Sequence, residues 1–212
     1  MSDETEWRER LKSFLSEQEG SDPAHDVAHI QRVVRNAKSL CDEEGADWSI
    51  VMPAAWLHDC VFVAKDSPQR REASRLSADR AVAFLRASDY PTLEWEAIHH
   101  AITAHSFSAK VETETLEARV LQDADRIDAL GAVGLSRCLM LGGHMGTDLM
   151  SPEDPFCEER EPDDSRFTID HFYRKLLKLE TTMKTQAGRH LARERADYLR
   201  GFLAQLRLEV GG

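Results

Sequence analysis

No run of about 18 apolar residues occurs in this 212-residue chain, so no membrane-spanning helix is expected. The opening segment, "MSDETEWRER", is charged and has no apolar core, so export is not expected either. Cysteine is sparse. Cys41, Cys60, Cys138 and Cys157 show no paired spacing, and reduced thiols in the cytoplasm are the expectation. Positive charge is in deficit: 27 Lys and Arg stand against 38 Asp and Glu, a formal charge of −11. That disfavours nucleic acid as a partner, because neutralising a phosphate backbone needs a basic surface. A small anion needs only a local basic pocket or a metal ion. The glycines of "GGHMG" (142–146) have neither a strand before them nor a helix after them, so they do not read as a nucleotide-binding loop. There is no G-x-S-x-G, which leaves serine-nucleophile hydrolysis without a basis. Strand signals reduce to "CVFVA" (60–64), and no repeat of 20–50 residues is visible.

What remains is helical periodicity on a chain that is 42% hydrophobic and 31% charged. Trp7, Leu11, Phe14 and Leu15 predict an amphipathic first helix that ends by Gly20. Asp22-Pro23 has the form of an N-cap followed by proline in the first turn. It opens a helix with Ile30, Val33, Val34, Ala37, Leu40 and Cys41 inward, stopped by Gly45. A third helix starts near Asp47–Ser49 and carries "AAWLHDC"; Pro53 either kinks it or marks a later start. Ser67-Pro68 repeats the cap-and-proline signal ahead of a helix with Leu76, Ala81, Phe84 and Leu85 inward. Further helices are predicted from Pro91, over Glu112–Leu130, and on both sides of a break at Lys184–Thr185, where Thr185 caps the second. Residues 142–167, rich in glycine, proline and acids, read as a long loop of the kind that serves as a lid or stays disordered. The expected fold is all-α, a single domain of about eight helices over residues 1–212.

Three places set ligand-type side chains against apolar patterning. His25 and His29 are four apart, hence on one helical face. His58 and Asp59 close an apolar helical run; adjacent residues diverge by about 100°, yet both reach an ion lying between their directions. Asp123, Asp125 and Asp128 crowd a helix whose neighbours are Leu121, Ile127 and Leu130. Buried together, three carboxylates would repel without a cation; the alternative is an exposed acidic face with Arg126 pairing locally. Cys60 beside the doublet is either a ligand or a small buried residue.

A histidine, a His-Asp doublet and a later aspartate, in that order, resemble the HD-domain metal-dependent phosphohydrolase superfamily. "HDVAHIQRVVRNA", "AAWLHDCVFVAK", "AITAHSFS", "LQDADRIDALGAVGLSR" and "DHFYRKLLKL" are similar to its small single-domain bacterial branch, over about residues 22–205. The resemblance implies a helical bundle and His29, His58, Asp59 and Asp125 as ligands of one divalent ion. Within the acidic cluster it is Asp125 that matches the branch's "ADR" pattern. Cys60 and Pro53 depart from the small or aliphatic residues common at those positions in the family.

Two imidazoles and two carboxylates suit Mn²⁺, Fe²⁺, Co²⁺, Ni²⁺ or Mg²⁺. Asp59 or Asp128 would orient or deprotonate the attacking water; for Asp128 a structural hydrogen bond is the alternative. Fixed positive charge for a phosphate substrate is sought in Lys65, Arg70, Arg71 and Arg75, with Lys65 and Arg70 preferred. As first-turn residues of a helix, Arg70 and Arg71 would oppose the helix dipole unless an anion sat there. His105 is the best further histidine for donating to a phosphate or leaving group. His171 and Lys175, with Tyr173 and Arg174 beside them, are candidates for substrate contact or for packing. The branch resemblance points to hydrolysis of a nucleoside triphosphate to a monophosphate and pyrophosphate. Phosphomonoester or phosphodiester hydrolysis, guanosine tetraphosphate included, and a non-catalytic metal- or nucleotide-binding regulator are the alternatives.

Overall fold

The computed structural model describes residues 2–17, 27–64, 67 and 69–211. Among these residues helix dominates, and extended pairing is limited to one isolated bridge between Asp148 and Phe167. "CVFVA" forms no strand. No described helix is long and apolar enough to cross a membrane. The residues cluster into two compact units, Met1–Asp125 and Arg126–Gly212, with the boundary inside one helix.

The first unit contains α1 (Ser2–Ser16), α2 (Val27–Glu44), α3 (Trp48–Leu57), a 3₁₀ turn (Arg70–Glu72), α4 (Ala73–Ala87), α5 (Trp95–His105) and most of α6 (Leu116–Asp128). Trp7, Leu11 and Phe14 of α1 are buried, as is the predicted stripe of α2. Gly45 ends α2 with φ 74°, a left-handed conformation that glycine adopts freely. Asp22, Pro23 and His25 lie outside the described residues.

Helix α3 has no polar face in its last eight positions: Ile50 through Leu57 are all buried. A helix apolar all round belongs in the middle of a core, and α3 packs against α1, α2, α4 and α5. Asp47 caps it, accepting from Ser49 N at 2.8 Å. Pro53 sits inside the helix, which starts at Trp48 rather than after the proline. Proline has no N–H to offer the Ser49 carbonyl; the Tyr90 hydroxyl donates to that oxygen instead, at 2.9 Å.

The α-helix expected from Ser67-Pro68 begins later. Pro68 lies outside the described residues, Ser67 Oγ accepts from Gln69 N at 3.2 Å, and α4 proper starts at Ala73. Leu85 and Ala81 are buried, but Leu76 and Phe84 only partly. Likewise α5 starts at Trp95, not Pro91, and α6 at Leu116, not Glu112.

The second unit holds the end of α6, α7 (Gly131–Met145), a π-helical turn (Phe172–Leu176) running into α8 (Leu177–Leu179), a 3₁₀ turn (Glu180–Thr182) and α9 (Gln186–Val210). Thr185 caps α9 as expected, accepting from Gly188 N at 2.9 Å. α7 packs on α9.

The long loop is shorter than predicted, because α7 continues through "GGHM" to Gly146, whose φ is 69°. A Cβ on Gly142 would come within 2.1 Å of Thr168 Oγ1, so this glycine serves close packing against Thr168. The following segment is pinned rather than loose. Ser151, Phe156 and Phe167 are buried. The Asp154 carboxylate accepts the backbone N–H groups of Glu158, Glu159 and Arg160 at 3.0, 2.9 and 3.1 Å.

Candidate metal centre

The last carbonyls of a helix have no intrahelical donor. At the end of α3, His58 meets that need: its Nδ1 lies 2.8 Å from Ala55 O. A carbonyl only accepts, so Nδ1 carries the hydrogen and Nε2 keeps its lone pair. That Nε2 is buried and has no hydrogen-bond partner among the described residues. The end of α5 repeats the device. His105 Nδ1 lies 2.6 Å from Ile102 O, and His105 Nε2 lies 3.5 Å from Asp59 Oδ1.

Helix α2 contributes His29, whose Nε2 is 3.5 Å from Asp125 Oδ1 on α6. His58 Nε2 lies 3.8 Å from Asp59 Oδ2 and 3.9 Å from Asp125 Oδ1. The ring centres of His58 are 5.5 Å from those of His29 and 5.0 Å from those of His105. Two overlapping donor groups result, His29–His58–Asp125 and His58–Asp59–His105, with ligand atoms in each within 4.8 Å of one another. The three imidazoles are buried, while Asp59 and Asp125 remain 25% and 29% exposed, so the carboxylates form the open side.

Burial pushes His58 down to about 4, with Asp59 and Asp125 opposing only in part. His58 is therefore neutral near pH 7, the form that ligates metals. For His105 burial also disfavours the charge, but the hydrogen bond to Asp59 and the charges of Asp59 and Asp125 outweigh it, and its value is raised.

A buried nitrogen lone pair facing two carboxylates and two further imidazoles fits a divalent cation, which would satisfy Nε2 and relieve the repulsion between the acids. The nitrogen and oxygen donors suit a borderline or hard ion. Cys60 is in neither group. Its thiol donates to Ser77 O at 3.4 Å, and burial pushes it up to about 12, against thiolate ligation.

Thus all four residues matched to the family signature are brought together, and His105 joins them. His105, expected as a group donating to a phosphate or leaving group, lies close enough to His58 and Asp59 to belong to a donor group as well. The signal was there: "ITAH" (102–105) puts histidine at a helix end three residues after a carbonyl, as "AWLH" (55–58) does.

Among the described residues, none of the other candidates belongs to either donor group. Lys65 lies outside the described residues. Arg70 donates from Nη1 to Val63 O at 3.0 Å, and its 3₁₀ turn is too short to present a helix N-terminus, so the dipole argument for Arg70 and Arg71 does not apply. Arg75 pairs with Glu72 and Asp79, a solvated face. His99 pairs with Asp79 at 2.9 Å, and His100 Nε2 accepts from Glu114 N at 3.1 Å. Asp123 is fully buried but belongs to neither donor group. Asp128, in the second unit, is 1% exposed and takes Arg137 Nη1 at 2.6 Å, the arrangement of a structural carboxylate. His171 Nδ1 lies 2.8 Å from Asp164 Oδ2, and the neighbouring Arg174 pairs with the same carboxylate at 3.0 Å. Lys175 is exposed on the π-helical turn.

Comparison with known proteins agrees with this geometry. The profile of the HD domain matches residues 26–130, which include all five clustered residues. YpgQ of Bacillus subtilis is 31% identical over 206 residues, covering 95% of this chain and 91% of its own. The crystal structure of YpgQ in complex with ADP superposes with a TM-score of 0.72, over 95% of this chain and 98% of that one. An HD-superfamily hydrolase from Bacillus thuringiensis, 28% identical, superposes with a TM-score of 0.73 over 97% and 98% of the two chains. With the motif-bearing stretch matched, and a relative this similar along nearly the whole length, the chain belongs to the HD superfamily of metal-dependent phosphohydrolases.

Proposed function

We propose that this hydrolase acts on nucleoside triphosphates and releases a nucleoside monophosphate and pyrophosphate. The observation that carries the nucleotide part is the ADP complex of YpgQ, which is 31% identical to this chain. In this reading His29, His58, Asp59 and Asp125 hold one divalent ion, Mn²⁺, Fe²⁺, Co²⁺, Ni²⁺ or Mg²⁺. When bound, the ion supplies Lewis acidity at a phosphoryl oxygen and lowers the pKa of water.

The chain's own groups do the rest. Ala55 O and Ile102 O hold the two rings with Nε2 inward. Asp59 has one oxygen towards His58 and the other towards His105, so it can orient the attacking water while keeping a proton on His105 Nε2. That proton is available to the leaving phosphate oxygen. Lys65 and Arg70 are the proposed contacts for the polyphosphate. Pyrophosphate leaves well when its charge is met by cations, and this favours attack at the α-phosphorus.

Hydrolysis of a triphosphate in ¹⁸O-water with Mn²⁺ tests the reading. Label is expected in the monophosphate, with unlabelled pyrophosphate as co-product. Labelled inorganic phosphate as the first product would make the enzyme a terminal phosphatase instead. For the ligands, His58→Ala and Asp125→Ala should lose Mn²⁺ and activity while keeping their helical circular dichroism; undiminished Mn²⁺ content in both would refute the assignment.

A further inference from the structure

The donors of the cluster come from separate elements, and each must be held at a fixed height against the others. Two buried amide side chains sit where this is decided. Asn36 follows His29 by seven residues on α2, hence on the same face. Its Nδ2 donates to Ala124 O at 3.3 Å, the carbonyl immediately before Asp125. Gln122 precedes Asp125 by three residues on α6, again on one face. Its Nε2 donates to Ala104 O at 2.8 Å, the carbonyl immediately before His105.

Ala104 O belongs to the last turn of α5, where helical donors run out. Three successive carbonyls there are met by three side chains: Ile102 O by His105 Nδ1 at 2.6 Å, Thr103 O by Ser74 Oγ at 3.0 Å, and Ala104 O by Gln122. The end of α5 is thereby tied to α4 and α6 as well as to its own histidine. Gln122 is 4% exposed and Asn36 8%. The amide oxygen of Gln122, Oε1, is buried and meets no donor among the described residues. Glutamine thus buries one acceptor without a partner in order to keep a donor on Ala104 O, and a methionine of the same length would remove both.

We propose that Gln122 and Asn36 are positioning residues for the metal centre, setting the register of α6 against α5 and α2 and so the placement of Asp125 against His105 and His29. The proposal rests on the reading that this cluster holds the ion.

Gln122→Met and Asn36→Leu keep side-chain size and remove the donor. Mn²⁺ affinity is read from the electron paramagnetic resonance signal of free Mn²⁺ during titration, and stability from urea unfolding of the metal-free protein. For Gln122→Met the dissociation constant for Mn²⁺ should rise about ten-fold or more, the usual effect of disturbing groups behind a ligand, with a modest fall in the urea midpoint from the stranded Ala104 carbonyl. Asn36→Leu should weaken Mn²⁺ to a similar degree. Unchanged Mn²⁺ affinity in both variants would overturn the proposal. So would a weakening no larger than that of Ser74→Ala, which strands the neighbouring Thr103 carbonyl without touching α6 and so shows what a merely structural loss at this helix end does. His58→Ala, titrated alongside, separates the two failures: if it binds Mn²⁺ like the parent, the cluster is not the metal site and the proposal falls with that reading.

Discussion

Asp170 opens the "DHFYRKLLKL" stretch and is fully buried, with Arg160 gripping it through both guanidinium nitrogens at 2.5 and 2.7 Å. The backbone N–H of Asp163 donates to the same carboxylate at 2.6 Å. Replacing it by asparagine keeps the shape and one acceptor but removes the charge. Breaking a buried ion pair from one side costs about 3–5 kcal/mol, because the remaining charge is stranded. Here Arg160 is 25% exposed and also donates to Asp154 O and Glu161 O, so the stranded cation keeps partners and some water. The lower end applies, and Asp170→Asn should lose about 3 kcal/mol at pH 7. Urea unfolding with linear extrapolation measures it. Because Arg160 and Asp163 lie in the segment after α7, trypsin should also begin to cut at Arg160 and Arg166 under native conditions. The pH dependence has a definite sign. Burial would raise the Asp170 pKa, but the Arg160 hydrogen bonds, the Asp163 N–H and the Cys157 thiol more than offset it, and it is held below the ordinary carboxylate range. A depressed acid contributes stability that is present above its unfolded value of about 3.9 and is lost as pH falls through the folded one. The parent's advantage over Asp170→Asn should therefore shrink below about pH 4. A loss under about 1 kcal/mol at pH 7, or an advantage undiminished at the acid end, would refute this account.

Tyr90→Phe should cost about 1 kcal/mol, the worth of the hydroxyl on the Ser49 carbonyl, and the effect should vanish in a Pro53→Ala background, where an N–H returns to that carbonyl. An equal loss in both backgrounds, by urea unfolding, would mean that the hydroxyl does not stand in for the missing amide. Asp128→Asn should cost about 2 kcal/mol or more by leaving Arg137 without its carboxylate, with Mn²⁺ binding intact. Loss of Mn²⁺ with stability kept would instead make Asp128 part of the metal chemistry.

Elements were legible in the sequence where their cause is local. The α2 stripe, the Gly45 stop and the Asp47 and Thr185 caps depend on residues within a turn of each other, and the structure has each of them in place. Misreadings arose where the cause lies far along the chain. Pro53 is tolerated because a hydroxyl from Tyr90 reaches back to Ser49, a separation of 41 residues. Gly142 and Gly143 read as loop because glycine disfavours helix, while the close approach of Thr168 that calls for Gly142 is tertiary. The convergence of His29, His58, Asp59 and Asp125 was legible only through family resemblance; the place of His105 beside them was not. Yet the presence of polar ligands at the end of a wholly apolar helix follows from elementary rules. The end of α3 has carbonyls with no helical donor, and it is buried on every side, so some side chain must supply an N–H there. Imidazole can do so with one nitrogen and still offer a lone pair with the other. His58 thus satisfies the fold through Nδ1 with Nε2 left facing Asp59 and Asp125, and His105 closes α5 through Nδ1 in the same way. Serine or asparagine in place of His58 could meet the carbonyl, but neither would leave a nitrogen lone pair facing Asp59 and Asp125.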